Sequence, residues 1–458
     1  MHAQHPHRPI AQAAIDVADT SASIRTSELI GALSTALDLT EGLLAGHAAR
    51  TCWIALRMAE RSGMGEGERE SLFYAALLKD AGCSSNAAAL TSIFGSDERA
   101  LKRMQATAGR STAAMAVLSI RGLSSGEPLP VRIRRLVNLA IRGSKERRQI
   151  EHTRCERGAM IAMNAGFDAP VSEAVASLHE HWDGRGLPMG MRGTDIPLFS
   201  RILAVASALD VFLSAVGPRR AIRTLKSRRG TWYQAELVDL VVELARDGLV
   251  HELSDGNIEA RIGEVEPNGL VRLSDESDVD RIATAFADVV DAKSPFTGSH
   301  SRNVATIAQD LALKIGLPER DVRDVRRGGL LHDIGKLGVP NRILDKPGRL
   351  TADEYLQVRE HPELSLRILQ PVPIFRRVAE IAAAHHERLD GTGYFRGLDA
   401  ERLAIEARIV AVADVYEALT AERPYREAMP PEAALAVMAK MSGDHLAADI
   451  VGTLPDII

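Results

Sequence analysis

Apolar residues recur every three to four positions along most of the chain, the spacing that places them on one face of an α-helix. Leu, Ile, Val and Ala follow this period most clearly in the segments 27–39, 70–80, 280–291 and 302–315. Glycine and proline separate such segments, and the alternating pattern typical of strands is scarce. The pattern therefore predicts an all-α fold.

A polar, acid-rich stretch interrupts the helical pattern between residues 250 and 280, where Gly256, Gly263 and Pro267-Asn268-Gly269 occur. We interpret it as a connector between two helical domains, and short strands within it are compatible with the pattern. The polar amino terminus, which carries His2, predicts a disordered leader. The predicted organisation is a leader at 1–25, a first domain at 26–250, an acidic linker at 251–279 and a second domain at 280–458.

Composition narrows the class of protein. With 458 residues, 45% of them hydrophobic and 26% charged, the chain is long enough for two domains and is not a disordered protein. A formal net charge of −5 makes nucleic acid an unlikely partner. Three cysteines (Cys52, Cys83 and Cys155) are too few for a disulfide framework, which favours a cytoplasmic location. No uncharged apolar run of about 18 residues occurs, so no membrane span is expected.

The chain also contains an internal repeat. Matching stretches lie first 253 and then 207 residues apart: 77–83 (LLKDAGC) with 330–336 (LLHDIGK), 179–188 with 386–395, and 200–212 with 407–419. Two constant offsets indicate two copies of one fold. The difference between them, 46 residues, is an insertion in the first copy between Cys83 and Arg154.

The two copies differ at residues that can bind metal. His332, His361, His385 and Asp414 of the second copy align with Lys79, Arg154, Leu178 and Ser207 of the first. His300, Asp333 and His386 align with His47, Asp80 and His179. Lysine and arginine carry positive charge where a cation would bind, so the first copy is predicted to hold no metal.

The second copy offers a set of metal donors. Imidazoles and carboxylates that converge from several helices can hold two cations, with one carboxylate reaching both. His332 and Asp333 are adjacent in an apolar segment, and Lys336 is expected on the same helical face, where its ammonium can reach a phosphate. Each residue alone is more often a packed histidine or a paired aspartate, but the ordered series points to a metal centre. The predicted ligands are His300, His332, Asp333, His361, His385, His386 and Asp414.

Five longer stretches together cover most of residues 280–445: FTGSHSRNVA, LLHDIGKLGVPNRILDKPGRLT, REHPELS, AAHHERLDGTGYFRGL and ARIVAVADVYEALTAERPYREAMPPEAAL. In these stretches the chain resembles the HD-GYP family of the HD superfamily of metal-dependent phosphohydrolases. The resemblance implies two tandem HD-type helical domains, the first degenerate, and a cyclic di-GMP phosphodiesterase in the second. It also implies two divalent metal ions, iron or manganese. Family members with a third metal carry a glutamate where this chain has Phe296.

The resemblance assigns roles to further residues. Asp333 and Lys336 are expected to be catalytic, with Lys336 stabilising charge on the phosphoryl oxygens. Substrate binding is expected from Lys336, Arg423, Arg426, Gly393 and Tyr394. The family signature ends in Gly-Tyr-Pro, whereas this chain has Phe395 after Tyr394. This change removes no predicted ligand.

Two alternative functions stay open: an HD phosphohydrolase that acts on another nucleotide, and a non-catalytic signalling module that binds partners. The first copy could serve as a scaffold, form a homodimer face or gate the second copy. The insertion is basic, but it lacks aromatic residues that stack on bases, so solvated helix faces explain the charge better than a nucleic-acid surface.

Overall fold

The computed structural model describes residues 24–94, 98–99, 148–254, 258, 266–267, 272–295, 298–422 and 427–458. The regular elements of the described residues are helices apart from two strands of two residues each, which confirms the predicted all-α class. The predicted ligands all lie within these ranges, whereas Phe296, Arg423 and Arg426 lie outside them.

The first copy begins with a two-residue strand and continues as helices. Its elements are β1 (Ile24–Arg25), α1 (Thr26–Glu41), α2 (His47–Arg61), α3 (Glu66–Leu78), α4 (Ala87–Phe94), α5 (148–164), α6 (Ala169–Ala176), α7 (Leu198–Val216), α8 (Pro218–Ser227), α9 (Ala235–Arg246) and α10 (Leu249–Ser254).

The second copy follows the same order of helices. Its elements are β2 (Leu273–Ser274), α11 (Glu276–Asp291), α12 (His300–Ile315), α13 (Glu319–Leu331), α14 (Asn341–Leu344), α15 (Ala352–Arg359), α16 (His361–Leu369), α17 (Arg376–Ala384), α18 (Ile405–Thr420), α19 (Pro431–Met441) and α20 (Ala448–Thr453). Three-residue to five-residue 3-10 turns lie between some of them, including Cys83–Asn86 and Ile334–Gly338.

Matching helices of the two copies begin at equivalent residues. The helices α2 and α12 begin at His47 and His300, and α3 and α13 span 66–78 and 319–331, which keeps the offset of 253 residues. The helices α7 and α18 begin at Leu198 and Ile405, which keeps the offset of 207. The repeat found in the sequence is therefore a repeat of secondary structure.

The two copies pack against each other through their first helices. Strand β1 pairs with β2 in antiparallel register, Ile24 opposite Ser274. Helix α1 contacts α11, α16 and the turn Ile334–Gly338 of the second copy. One hydrophobic core includes residues of both copies, such as Leu33 and Phe286. The first copy thus forms part of the support beneath the second.

The observed boundaries refine the predicted ones. Ile24 and Arg25, at the end of the predicted leader, form β1, and α11 begins at Glu276 within the predicted linker. Strand β2 lies within the predicted linker, and its pairing with β1 depends on backbone hydrogen bonds rather than on an apolar pattern.

One described helix, α7, is long and apolar enough to cross a membrane by length and composition. It carries Arg201 and Asp210, and its apolar residues, such as Leu203 and Leu209, are fully buried among α2, α6 and α8. The surroundings of α7 are those of a core helix, and the long apolar run reflects burial on several sides.

Candidate metal centre

The seven predicted ligands meet in the second copy, most of them at or next to the ends of helices. His300 begins α12, His361 begins α16, and Asp414 lies in the middle of α18. His332 and His385 are the C-terminal cap residues of α13 and α17. All seven are buried except His386, which is half-buried: His300, His332, Asp333, His361, His385, His386 and Asp414.

The carboxylate of Asp333 lies at the middle of this cluster. Its Oδ1 is 3.3 Å from Nε2 of His361 and 3.8 Å from Nε2 of His385. Its Oδ2 is 3.2 Å from Nε2 of His332 and 3.6 Å from Nε2 of His300. Because each oxygen faces a different pair of imidazoles, Asp333 is placed to contact two cations at once.

The remaining ligands complete two neighbouring groups. Oδ1 of Asp414 is 3.3 Å from Nε2 of His300 and 3.8 Å from Nε2 of His332. On the other side, ligand atoms of His361, His385 and His386 all lie within 4.8 Å of one another. The donor set is therefore sufficient for two adjacent ions.

Backbone carbonyls orient three of the imidazoles. In each case Nδ1 contacts the carbonyl oxygen three residues earlier: His332 with Gly329 at 2.8 Å, His361 with Val358 at 2.6 Å, and His385 with Ala382 at 2.5 Å. This contact makes Nδ1 the donor and leaves the lone pair on Nε2, which points into the cluster. Because the ring takes a carbonyl from the last helical turn, it also helps to end the helix there.

Glu417, which is not among the residues predicted from the sequence, orients the fourth imidazole. Its Oε2 contacts Nδ1 of His300, and its Oε1 lies 3.4 Å from Nδ2 of Asn303. Glu417 follows Asp414 by three residues on α18, so both carboxylates face His300. The spacing of three residues between Asp414 and Glu417 is visible in the sequence. It does not by itself indicate that Glu417 contacts the imidazole of a predicted ligand.

The buried cluster fits a divalent cation. Within the described structure, Nε2 of His332 and Oδ1 of Asp333 are buried without a hydrogen-bond partner. Buried polar atoms are seldom left unpaired, and an imidazole nitrogen beside a carboxylate oxygen is a common pair of metal ligands. The orphaned atoms and the inward-facing Nε2 lone pairs thus agree with the donor chemistry of a metal centre.

Burial and neighbouring charges shift the pKa values of several predicted ligands. Burial lowers the pKa of His361 to about 3 and that of His385 to about 4, so both rings are neutral at pH 7. Burial would raise the pKa of Asp333, but the charges of His332 and Lys336 outweigh it and hold that pKa well below its usual range. Burial lowers the pKa of His300 less than its contacts with Asp333, Asp414 and Glu417 raise it, so that its pKa lies well above the usual value. The site therefore offers neutral imidazoles at His361 and His385 beside an ionised Asp333.

Lys336 lies at the edge of this centre. Its Nζ is 2.5 Å from Oδ2 of Asp333, and 27% of its side chain is exposed. The expectation that His332 and Lys336 share one helical face was wrong, because α13 ends at Leu331 and Lys336 belongs to the turn Ile334–Gly338. Ser365 fixes this break: its Oγ donates to the carbonyl of His332 at 2.9 Å and accepts from the amide of Gly335 at 3.0 Å.

The loop that carries Gly393 and Tyr394 is held against the cluster by Glu387. This buried carboxylate accepts from the amides of Arg396 at 2.6 Å and Leu398 at 3.0 Å. A Cβ on Gly393 would lie 2.4 Å from Cα of Glu387, so only glycine permits this close approach. The Tyr394 ring packs on the His386 ring with centroids 4.8 Å apart, which places Tyr394 at the mouth of the site.

In the first copy, positively charged side chains of lysine and arginine occupy the position that is equivalent to the metal centre. Lys79 contacts the carboxylate of Asp80, and Nη2 of Arg154 lies 3.5 Å from Oδ1 of Asp80 and 3.6 Å from Oε2 of Glu41. Glu41, Asp80 and Cys83 bring possible ligand atoms within 4.8 Å of one another, but these two cations lie among them. This arrangement supports the prediction that the first copy holds no metal.

Comparison with known proteins places the chain among relatives of known type. The HD domain family model matches residues 100–237 and 284–450. A 3'3'-cGAMP-specific phosphodiesterase of Vibrio cholerae is 39% identical over 413 residues, which cover 90% of each chain. A cyclic di-GMP phosphodiesterase of Pseudomonas aeruginosa is 35% identical over 55% of this chain and 59% of its own.

A solved structure gives the same result for the fold. The crystal structure of a cyclic GMP-AMP-specific phosphodiesterase from V. cholerae superposes with a TM-score of 0.65 at 33% identity. The match covers 95% of this chain and 99% of the other, so it includes both copies. The chain therefore belongs to the HD domain family, within its HD-GYP branch of metal-dependent phosphodiesterases.

Proposed function

We propose that the second copy hydrolyses a 3'-5' phosphodiester bond of a cyclic dinucleotide at a centre of two divalent metal ions. The observation that carries this proposal is the position of Asp333, whose two carboxylate oxygens face two different pairs of buried imidazoles. A carboxylate shared by two cations is the usual core of a two-metal phosphodiesterase.

The ligands divide naturally between the two ions. One would be held by His300, His332, Asp414 and Asp333, and the other by Asp333, His361, His385 and His386. When bound, the ions supply Lewis-acid polarisation of the phosphodiester and a nucleophilic water at neutral pH. Iron and manganese are the metals we expect, as the family resemblance implies.

The side chains of the protein perform the remaining tasks. Lys336, part exposed beside Asp333, is placed to stabilise negative charge on the phosphoryl oxygens during cleavage. The buried histidines exclude bulk water around Asp333, which strengthens these electrostatic contacts. Tyr394 forms a wall of the entrance next to His386, where a sugar or base of the substrate would lie.

Within the substrate class, we favour 3'3'-cGAMP over the predicted cyclic di-GMP. The relative that matches 90% of the chain, including both copies, is specific for 3'3'-cGAMP. Cyclic di-GMP phosphodiesterases also match, over 55% and 34% of the chain in two cases. Cyclic di-GMP is therefore the second candidate, and the two differ only in one base.

The test compares both substrates with one set of proteins. Wild type, loaded anaerobically with Fe(II) or with Mn(II), should cleave at least one of them to a linear product, which chromatography separates. The Asp333→Asn variant should lose more than about 100-fold in rate, because even outer partners of metal ligands are worth 10–100-fold. Equal turnover by Asp333→Asn and wild type would overturn the assignment of the site.

A matched control comes from the first copy. The double variant Lys79→Met, Asp80→Asn removes the equivalent buried pair together, so that neither charge is left alone. We expect its turnover within a few-fold of wild type. If this double variant lost turnover while Asp333→Asn retained it, catalysis would lie in the first copy and the proposal would be wrong.

Metal analysis separates the enzyme from the two alternatives. A non-catalytic module predicts fewer than about one ion per chain and no effect of a chelator on binding, whereas the proposal predicts about two ions and activity that a chelator abolishes. Another nucleotide substrate predicts full metal content with no cleavage of either cyclic dinucleotide. The expected cytoplasmic location and homodimer through the first copy stay predictions.

A further inference from the structure

Helix α15 (Ala352–Arg359) presents an exposed aromatic ring beside the entrance to the site. Tyr355 is 47% exposed, and its ring lies edge-on to that of Tyr394, with centroids 6.4 Å apart at 73°. Tyr394 in turn packs on His386. A row of rings therefore leads from a predicted metal ligand out to solvent.

Arg359, one turn farther along α15, lies on the same row. Its guanidinium is 4.7 Å from the centroid of the Tyr394 ring and 5.9 Å from that of Tyr355. Among the described residues no carboxylate forms an ion pair with Arg359, although many other arginines of the second copy have such partners, for example Arg302 with Asp288. A cation held by rings alone has its hydrogen-bond donors available to a ligand.

Helix α15 is also fixed in place relative to the metal centre. Its amino terminus is capped by Thr351, whose Oγ1 accepts from the amide of Glu354, and Nζ of Lys346 lies 2.5 Å from Oε2 of Glu354. Its other end leads directly to His361 at the start of α16. The ring and the guanidinium are therefore held at a constant position beside the ligands.

We propose that Tyr355 and Arg359 bind the part of the substrate that is not cleaved. Tyr355 stacks on a purine base of the cyclic dinucleotide, and Arg359 pairs with the second phosphate. This inference rests on the proposed function and extends it to two residues outside the predicted site. A cyclic dinucleotide has two bases and two phosphates, and with one phosphate at the metals the others must reach outward along the entrance.

The chemistry of both residues suits this role. Every base has a face that stacks on an aromatic ring, and removing such a ring weakens binding by about tenfold to 100-fold. The guanidinium group is planar, always charged and well matched to phosphate oxygens. The position of this exposed tyrosine, beside Arg359 and Tyr394, therefore fits a role in nucleotide binding better than that of an ordinary surface residue.

The experiment compares substitutions on α15 by steady-state kinetics with the metal-loaded protein. We expect Tyr355→Leu to raise KM for the cleaved cyclic dinucleotide about tenfold, with kcat within a few-fold and unchanged metal content. Tyr355→Phe, which keeps the aromatic ring, should have the KM of the wild-type protein. Arg359→Met should raise KM about tenfold and reduce its dependence on salt concentration.

Leu356 provides a matched control, because it is the adjacent residue and is 57% exposed. Leu356→Ala should leave KM unchanged. If it raises KM as much as Tyr355→Leu does, the effect comes from displacement of the helix and the inference is wrong. An unchanged KM in Tyr355→Leu, with an active wild type, overturns the inference alone, whereas an inactive wild type overturns the proposed function as well.

Discussion

Glu417 illustrates how a single side chain outside the ligand set controls the centre. It holds Nδ1 of His300, so Nε2 of that ring is directed to Asp333 and Asp414. The first copy has the same arrangement, in which Oδ2 of Asp210 lies 2.7 Å from Nδ1 of His47. The pair of carboxylate and imidazole thus occurs also in the first copy, where Lys79 and Arg154 lie beside Asp80.

We expect Glu417→Gln to weaken metal binding in the second copy by about 10–100-fold, because the ring loses its charged partner and its fixed orientation. Metal titration of the stripped protein measures this directly. Asp210→Asn is the matched control, and it should change neither metal affinity nor turnover. If both variants bind metal as wild type does, Glu417 has only a packing role.

His179, the counterpart of His386, offers a test of acid stability away from the proposed metals. Burial first, and then the charge of Arg154, lowers its pKa to about 4. Since the unfolded chain binds this proton near pH 6.5 and the folded chain only near pH 4, stability falls as pH drops through that window. Between pH 7 and pH 5 the loss is about 2 kcal/mol.

Replacement of His179 by glutamine removes this titration. Urea unfolding measures the free energy of unfolding at pH 7 and at pH 5. The decrease between these two values of pH should be about 2 kcal/mol smaller in His179→Gln than in wild type. His152→Gln is the control, because 52% of that side chain is exposed, and its loss should equal that of wild type. An identical loss in His179→Gln would show that the ring titrates normally when folded.

At the scale of elements, periodicity predicted the helices well because each buries one apolar face. The segment 280–291 lies within α11, and 302–315 lies within α12. Periodicity could not predict where α13 ends, since the apolar pattern runs on through Leu330, Leu331 and Ile334. The break depends on the imidazole of His332 and the hydroxyl of Ser365, which the apolar pattern does not record.

The turn Ile334–Gly338 depends on close contact with α16. A Cβ on Gly335 would lie 2.0 Å from the carbonyl oxygen of His361 and 2.8 Å from the amide nitrogen of Ser365. We expect Gly335→Ala to push the turn away from α16, lower turnover at least about tenfold and cost roughly 1–3 kcal/mol of stability. Chemical denaturation and kinetics check both effects.

Gly452 in α20 is the control for this substitution, because nothing lies within 4 Å of a Cβ placed there. Gly452→Ala should keep full turnover and gain up to about 1 kcal/mol of stability, since alanine favours a helix over glycine. Full turnover of Gly335→Ala would contradict the view that this contact positions Lys336.

At the scale of the whole molecule, the sequence showed two copies and which copy keeps the ligands, because both facts are written in residue types at constant offsets. It did not show how the copies pack, since residues that meet there are far apart in the chain and no motif marks them. Arg99 and Gly338 are an example: Nη1 of Arg99 donates to the carbonyl of Gly338 at 2.7 Å. The first copy thereby contacts the turn that carries Lys336.

A second contact strengthens this connection. The buried carboxylate of Glu98 accepts from the amide of Asn341, with both oxygens 3.2 Å away. From within the second copy, Nζ of Lys293 donates to the carbonyl of Leu337 at 2.7 Å. The backbone around Lys336 is therefore held from both copies, which connects the first copy to the candidate site.

If this view is right, a change in the first copy must alter catalysis without altering the metals. We expect Arg99→Met to lower kcat about tenfold, because a small displacement of the Lys336 turn misplaces its ammonium relative to the phosphate. Metal content should stay at the wild-type value, since Arg99 donates to the carbonyl of Gly338, which is not one of the seven predicted ligands.

Arg185→Met, at an arginine of the first copy that is 86% exposed, should have wild-type kinetics. A kcat equal to wild type in Arg99→Met would mean that the first copy supports the fold alone, whereas a fall in kcat together with loss of metal would mean that the turn also helps to hold the ligands.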